Sequence, residues 1–185
     1  MARRLVMSTS ADPARERRPI AHRLAPKRRR GLPPIVAADA RVLILGSFPS
    51  EASLAAQQYY AHPRNHFWPV LSALLNEPLV AMSYPARTAT VRAHGIAIWD
   101  TIVACERQGS LDAAIRNAER GAIARIRRVA RGLRVVCFNG GTAARAEPLW
   151  RAAGYATHVL PSTSPAYTLP LSEKVERWRA LSRYL

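Results

Sequence analysis

Four short, largely apolar runs punctuate the chain, and each ends at residues that stop a strand. Val42–Leu45 closes on Gly46, and Ile96–Trp99 finishes at Asp100. Arg134–Phe138 runs into Asn139-Gly140-Gly141, and Thr157–Leu160 into Pro161. Runs of this length and β-branched content are how strands buried on both faces read. Helical patterns fill the intervals. Phe67, Leu71, Leu74 and Leu75 share one face of a helix that Asn65 can cap, with Pro69 tolerable in its first turn. Ser83 and Pro85 open a short helix to His94, which Gly95 ends. The pattern predicts a longer helix over about 113–130, another from Gly140-Gly141 to near Gly154, and a last one over about 172–184 capped by Ser172. Strand–helix alternation of this kind gives a parallel sheet covered by helices, a small four-stranded α/β/α domain.

Between the first strand and the first helix the pattern breaks. The segment from Ser47 to Asn65 holds Phe48, Pro49, Ser50, a tyrosine pair (Tyr59, Tyr60), His62, Pro63 and Arg64. No regular element is expected directly after Gly46. A loop beyond the carboxyl end of a parallel strand is where open α/β sheets place their ligands. Flat aromatics, an imidazole, a cation and an amide crowd into this one.

Charge narrows the class of ligand. The 185 residues carry a formal net charge of +16 with 49% hydrophobic content, enough for a core and strongly basic outside it. Such a balance favours polyanions, nucleic acid before acidic membrane surfaces. Ten of the cations, against two acids, lie in residues 1–30, with Lys27-Arg28-Arg29-Arg30 the densest run. Residues 1–40 are proline-rich and lack a sustained period, so they read as a disordered basic arm ahead of a domain over 41–185. The arm suits gripping phosphates without sequence preference; a solvated tail, or an extension from a start codon placed too far upstream, is the alternative. An Arg-rich start can also mimic a transit peptide, but no amphipathic face supports that. Cys105 and Cys137 make neither a disulfide framework nor a metal quartet, so no cofactor and no metal are expected. No apolar run reaches membrane-span length, which points to a soluble, cytoplasmic and nucleoid-associated protein, taken as a monomer. Ser-His-acid hydrolase spacing, a Walker loop and GxGxxG are all missing.

The turn after the first strand, followed by YYAHPRNHFW (Tyr59–Trp68), resembles the first motif of the uracil-DNA glycosylase superfamily, and LPSTSPA (Leu160–Ala166) its second. The similarity runs from about Arg41 to Leu185 and is greatest to the hypoxanthine-DNA glycosylase branch, related to the mismatch-specific uracil glycosylases. It implies a three-layer α/β/α fold with sheet order 2-1-3-4, both motif loops opening at the carboxyl edge of the sheet. It further implies a monofunctional DNA glycosylase of base excision repair, which flips a deaminated base out of DNA and hydrolyses its N-glycosidic bond. Hypoxanthine is the leading substrate and uracil is possible. Where most relatives carry Asp or Asn in the first motif, this chain has Phe48.

On that footing each candidate has a role and an alternative. Asn65 holds the attacking water, or serves only as a helix cap. His62 stabilises the departing base or binds phosphate, or packs in its loop. Tyr60 stacks on the extruded base, or is a half-buried core tyrosine; Tyr59 is the weaker of the pair and packs. Phe48 lines the base pocket and offers its backbone N–H to a base carbonyl, Ser47 and Ser50 touch phosphate, and Ser47 also belongs to the base-binding set. Asn139 donates to a base edge, or caps the helix that follows. Arg64, with Pro161, Ser162, Thr163, Ser164 and Pro165, grips the phosphates flanking the flipped nucleotide, with an ordinary polar turn as the alternative for the last five. Asp100, at the end of the second strand, points to the cleft edge but reads first as a cap, and Asp112 reads as a helix N-cap. The two lysines, Lys27 and Lys174, fall outside both motifs, and a strand-cutting lyase needs a poised amine there. Two other classes remain: a basic nucleic-acid-binding protein that has kept the fold without the chemistry, and, against the charge, a hydrolase of free nucleosides.

Overall fold

The four apolar runs pair into one sheet. In the computed structural model, which describes residues 28–185, the elements are β1 (Arg28–Arg30), β2 (Val42–Gly46), α1 (Glu51–Ala56), α2 (Phe67–Leu75), α3 (Tyr84–Ala93), β3 (Ile96–Asp100) and β4 (Ile102–Glu106). They continue with β5 (Arg116–Arg120), α4 (Ile123–Val129), β6 (Val135–Asn139), α5 (Gly141–Ala144), α6 (Glu147–Ala152), β7 (Ala156–Leu160) and α7 (Leu171–Trp178), plus 3-10 turns at Asp112–Ala114 and Arg179–Tyr184. The sheet has the order β3-β2-β6-β7, all parallel, the expected 2-1-3-4. Every residue of β2 and β3 is buried, which is why these strands read as unbroken apolar runs rather than alternating ones.

The register aligns the strand ends. Gly46 lies opposite Asp100, Leu45 opposite Phe138, and Asn139 opposite Leu160. The loops after β2, β3, β6 and β7 therefore open along one edge. Helix α2 packs on α7, with the Phe67 and Trp178 rings meeting edge to face at 5.9 Å.

Several stretches depart from the sequence reading. The long helix expected over 113–130 is a 3-10 turn, strand β5 and the short α4. Strand β5 (Arg-Asn-Ala-Glu-Arg) has no apolar face to anchor a helix; it pairs antiparallel with β4, which also pairs with β1, in a second, three-stranded sheet. Gly121 then passes so close to Trp99 that a Cβ there would stand 2.7 Å from the ring, which fixes the corner into α4. The helix expected from Gly140 to Gly154 is broken into α5 and α6, and the last helix starts at Leu171 and tightens to 3-10 after Trp178. A short α1 occupies residues read as irregular, with Ser50 as its cap accepting from the Ser53 N–H at 3.2 Å.

The basic arm falls outside the described residues only as far as residue 27. Residues 28–40 belong to the folded body: β1 pairs with β4, Ile35 exchanges backbone hydrogen bonds with Ile98 at 2.9 and 2.8 Å, and Leu32 is buried. Leu32 also accepts a hydrogen bond from the Tyr59 hydroxyl through its carbonyl, at 3.1 Å.

Candidate active site

Where the aligned strand ends meet the loops, a cavity of about 250 Å³ opens, lined by residues of both motif loops together with Asp100, Asp112 and Asn139. From the first motif it takes Gly46, Ser47, Phe48, Ser50, Tyr60 and Asn65; from the second, Ser162, Thr163 and Ser164.

Asn65 is held by one side of its amide. Its Oδ1 accepts the Phe67 N–H at 2.9 Å, an Asx turn just ahead of α2. That fixes the carboxamide and leaves Nδ2 with no partner in the protein among the described residues, at the cavity lining. Capping and a free donor thus coexist in one side chain. Tyr60 sits in the left-handed region (φ 55°), and its ring lies against Phe67 with centroids 3.6 Å apart and planes 14° from parallel. Its hydroxyl is buried beside the Asn139 amide. Tyr59 packs in the core, as expected, with its carbonyl accepting from the Trp68 indole at 3.0 Å.

Phe48 is buried in the cavity wall with the Arg107 guanidinium over its ring, 4.8 Å from the centroid. Arg107 is itself buried, bonded to the Pro49 carbonyl, with Nε and Nη1 unpartnered. Ser47 donates its hydroxyl to Asp112, at 2.8 Å from each carboxylate oxygen, so Asp112 ties the hairpin region to the first motif instead of capping a helix.

The second motif is braced from behind. Asn139 donates Nδ2 to Thr163 Oγ1 at 2.8 Å and accepts the Thr163 N–H on Oδ1 at 2.9 Å. Both ends of its amide therefore brace the loop and it does not cap α5, while Nδ2 keeps a second N–H beside the Tyr60 hydroxyl. Thr163 is fully buried, and its carbonyl accepts from the His66 N–H at 3.0 Å. Pro161 gives its carbonyl to the Trp178 indole at 3.0 Å, while Pro165 is exposed. The half-buried Ser162 and Ser164 keep their hydroxyls near backbone amides, Ser162 with the Ser164 N–H and Ser164 with the Ala166 N–H, both at 3.2 Å. Lys174 lies close behind the second motif, a correction to its placement away from both: it is buried and donates to the Tyr167 carbonyl at 2.8 Å.

Two candidates stand apart from the cavity. His62 accepts the Arg64 N–H on Nδ1 at 3.2 Å, a local turn, and Arg64 is exposed; neither lines the cavity.

The residue the sequence undervalued is Asp100. At the end of β3 it is 4% exposed, lines the cavity, and has Oδ2 buried with no hydrogen-bond partner. Burial, reinforced by Asp112 and opposed by Arg107, pushes its carboxyl up to about 8. Burial, with Asp100 second, likewise drives the Tyr60 hydroxyl far above its ordinary range, so it remains a protonated donor. The signal in the sequence was an acid at the carboxyl terminus of a fully apolar strand, a position that only the register opposite Gly46 turns into a cavity wall.

Comparison with known proteins agrees with this geometry. The family model described as the Uracil DNA glycosylase superfamily matches residues 33–182. A protein of Methanosarcina acetivorans named hypoxanthine DNA glycosylase is 36% identical over 156 residues, 84% of this chain and 99% of that one. Its namesake in Methanosarcina barkeri is 34% identical over 151 residues, covering 82% and 96%. The solution NMR structure of a candidate uracil DNA glycosylase from Methanosarcina acetivorans superposes with a TM-score of 0.78 at 36% identity, covering 85% of this chain and 98% of that one. With the two motif loops closing one cavity at the carboxyl edge of a 2-1-3-4 parallel sheet, this chain belongs to the uracil DNA glycosylase superfamily.

Proposed function

We propose that the protein is a monofunctional DNA glycosylase that removes deaminated bases, hypoxanthine first among them, by flipping the nucleotide into this cavity. The observation that carries the reading is Asn65, whose amide is fixed by the Phe67 N–H while Nδ2 is left unpartnered at the cavity lining. An N–H donor there binds a water through one lone pair and leaves the other for the anomeric carbon. Little nucleophilic push is needed if the sugar passes through an oxocarbenium-like state. Phe48 and Tyr60 supply aromatic walls for the base, and the half-buried Ser162 and Ser164 suit the flanking phosphates.

The relatives named hypoxanthine DNA glycosylase favour hypoxanthine over uracil as the preferred substrate. Hydrolysis without strand cleavage fits Lys174, whose amine is buried and engaged by the Tyr167 carbonyl instead of facing the cavity. The protein would act as a monomer without a metal, in the compartment that holds DNA; no described helix is long and apolar enough to cross a membrane. His62 and Arg64, outside the cavity lining, suit DNA phosphates more than the base, and the cations of residues 1–30 add affinity along the backbone.

A gel-based excision assay on duplex DNA with a single inosine, against uracil and undamaged controls, tests the reading. Alkali-labile breaks at inosine, reduced at least about a hundredfold in Asn65→Ala with DNA binding retained, are expected. Breaks that persist in Asn65→Ala would remove the water-holding role. Salt-sensitive binding with no breaks at any deaminated base would favour a non-catalytic DNA-binding protein.

A further inference from the structure

We propose that a groove beside the cavity, walled by Arg116 and Arg120 of β5 and by Arg145 just after α5, is a phosphodiester-binding site that grips a stretch of DNA backbone leading away from the flipped nucleotide. The inference rests on the glycosylase reading above for what occupies the cavity, and it adds a contact surface beyond the phosphates that Ser162 and Ser164 suit.

Position comes first. The groove encloses about 360 Å³ between the start of β4, strand β5 and α5. It shares Asp112 with the cavity lining, so the two sites are neighbours. Strand alternation sorts the side chains of β5. Arg116, Ala118 and Arg120 line the groove, whereas Asn117 and Glu119 do not: Asn117 donates to Glu106 at 3.0 Å, and Glu119 accepts from Arg28 at 2.7 Å. The strand thus brings both of its cations to the groove and keeps its acid out of it.

Three guanidiniums meet there with little to neutralise them. Among the described residues, Arg116, Arg120 and Arg145 form no ion pair with a carboxylate, and all three are exposed. Arg116 donates Nη1 to the carbonyls of Ala113 and Ile115, both at 2.8 Å, which fixes its guanidinium and leaves its other nitrogens for a ligand. Asp112 is the one carboxylate on the lining, and both its oxygens stand 2.8 Å from the Ser47 hydroxyl. The groove is therefore strongly positive. Like charges held together repel, and a bound anion removes that cost.

The chemistry of the ligand follows from the lining. A guanidinium fork matches phosphate oxygens with two parallel N–H donors. Beside the cations the lining is apolar, with Ile102, Ile115 and Ala118. A DNA backbone alternates charged phosphates with the apolar faces of deoxyribose, so it matches both kinds of surface. A small anion would use the cations and leave the apolar part uncovered. Arg116 and Arg120 stand four residues apart on β5, about 13 Å at roughly 3.3 Å per residue, the span of about three to four nucleotides at roughly 3.4 Å each. Such contacts read charge and not bases, which suits an enzyme that must work in any surrounding sequence.

The test is a coupling between protein and DNA. Duplexes carry one inosine and a single methylphosphonate, which removes one phosphate charge, at each of about four positions on either side of it. Fluorescence anisotropy measures their affinity for three full-length proteins: wild type, Arg116→Gln/Arg120→Gln/Arg145→Gln, and Arg127→Gln/Arg128→Gln/Arg131→Gln, which removes the same charge at and just after α4. Wild type should lose at least about threefold at one or more neighbouring positions on one side. The groove variant should bind at least about tenfold more weakly, with a salt slope shallower by about 2–3, and lose less than about 1.5-fold further at those positions. The α4 variant should keep the full methylphosphonate loss. Equal methylphosphonate losses in groove variant and wild type, or an unchanged salt slope, overturn the site. So does a melting temperature that inorganic phosphate raises in wild type but not in the groove variant, without the methylphosphonate coupling, which would assign the groove to a small anion. Single-turnover excision of inosine by the wild type checks the glycosylase reading separately: no excision at any deaminated base sinks that reading, while the coupling still decides the groove. If the triple groove variant does not fold, Arg120→Gln/Arg145→Gln, which keeps the Arg116 hydrogen bonds, decides in its place.

Discussion

Asp100 shows how a single residue links stability to function. Its carboxyl titrates at an ordinary 3.8 when unfolded and at about 8 in the folded protein. Between those values the unfolded chain has released a proton that the folded protein still holds, so this group's contribution to stability shrinks as pH rises through the window and is gone only above about 8. Asp100→Asn has no such term. Its stability should match wild type near pH 4 and exceed it near pH 8 by on the order of 1–3 kcal/mol, with a higher melting temperature at the upper pH. Thermal melts at the two pH values check this; a gap that does not widen with pH would mean the carboxyl is not held neutral by the fold. Gly46 is bound to the same point. Gly46→Ala drives a Cβ into Asp100 and Tyr60, and both are backed by packed core, so excision should fall at least about tenfold with a stability loss of about 1–3 kcal/mol. Equal excision by Gly46→Ala in the single-turnover assay would show that the cavity floor is not used.

Elements hold the site by stapling one loop to another, and Asn139 is the clearest staple. It carries both hydrogen bonds from the end of β6 to Thr163, while the Thr163 carbonyl receives the His66 N–H next to Asn65. Asn139→Ala leaves the buried Thr163 amide and hydroxyl without these partners, a cost of about 1–3 kcal/mol. Loosening this loop also unsettles the segment that positions Asn65. Excision should therefore drop by about tenfold or more; denaturant melts alongside the excision assay separate lost stability from lost site geometry. Such staples are poorly legible in sequence, because β6 and the second motif are 24 residues apart and only the strand register makes them neighbours. The four strands of the parallel sheet were legible, since burial on both faces leaves β2, β3 and β6 as unbroken apolar runs. The stretch over 113–130 was not: its arginines fit an exposed helix as well as an exposed strand, and pairing with β4, a long-range contact, decides. Ser50 and Asp112 were visible as polar loop residues, but which partner each takes depends on α1 and on the 3-10 turn, neither of which leaves a period.

At the scale of the whole molecule the formal charge of +16 sets how the enzyme meets its substrate. The described body contributes exposed cations, among them Arg116 and Arg120 on β5, whose five residues all face solvent. The first 27 residues add Arg3, Arg4, Arg15, Arg17, Arg18, Arg23 and Lys27. Each phosphate neutralised by such a side chain releases condensed counterions, so the logarithm of the binding constant falls with the logarithm of salt by about 0.9 per contact. If the arm rides on the backbone, replacing those seven cations by glutamine should make the salt slope shallower by at least about 2 and weaken binding most at low salt. The single-turnover rate on saturated inosine DNA should stay the same, because the chemistry lies in the cavity. Fluorescence anisotropy on undamaged duplex over a salt series measures the slope, and the excision assay measures the rate. An unchanged slope would leave affinity to the folded body alone, whereas a lowered rate at saturation would place some of these cations close to the flipped nucleotide.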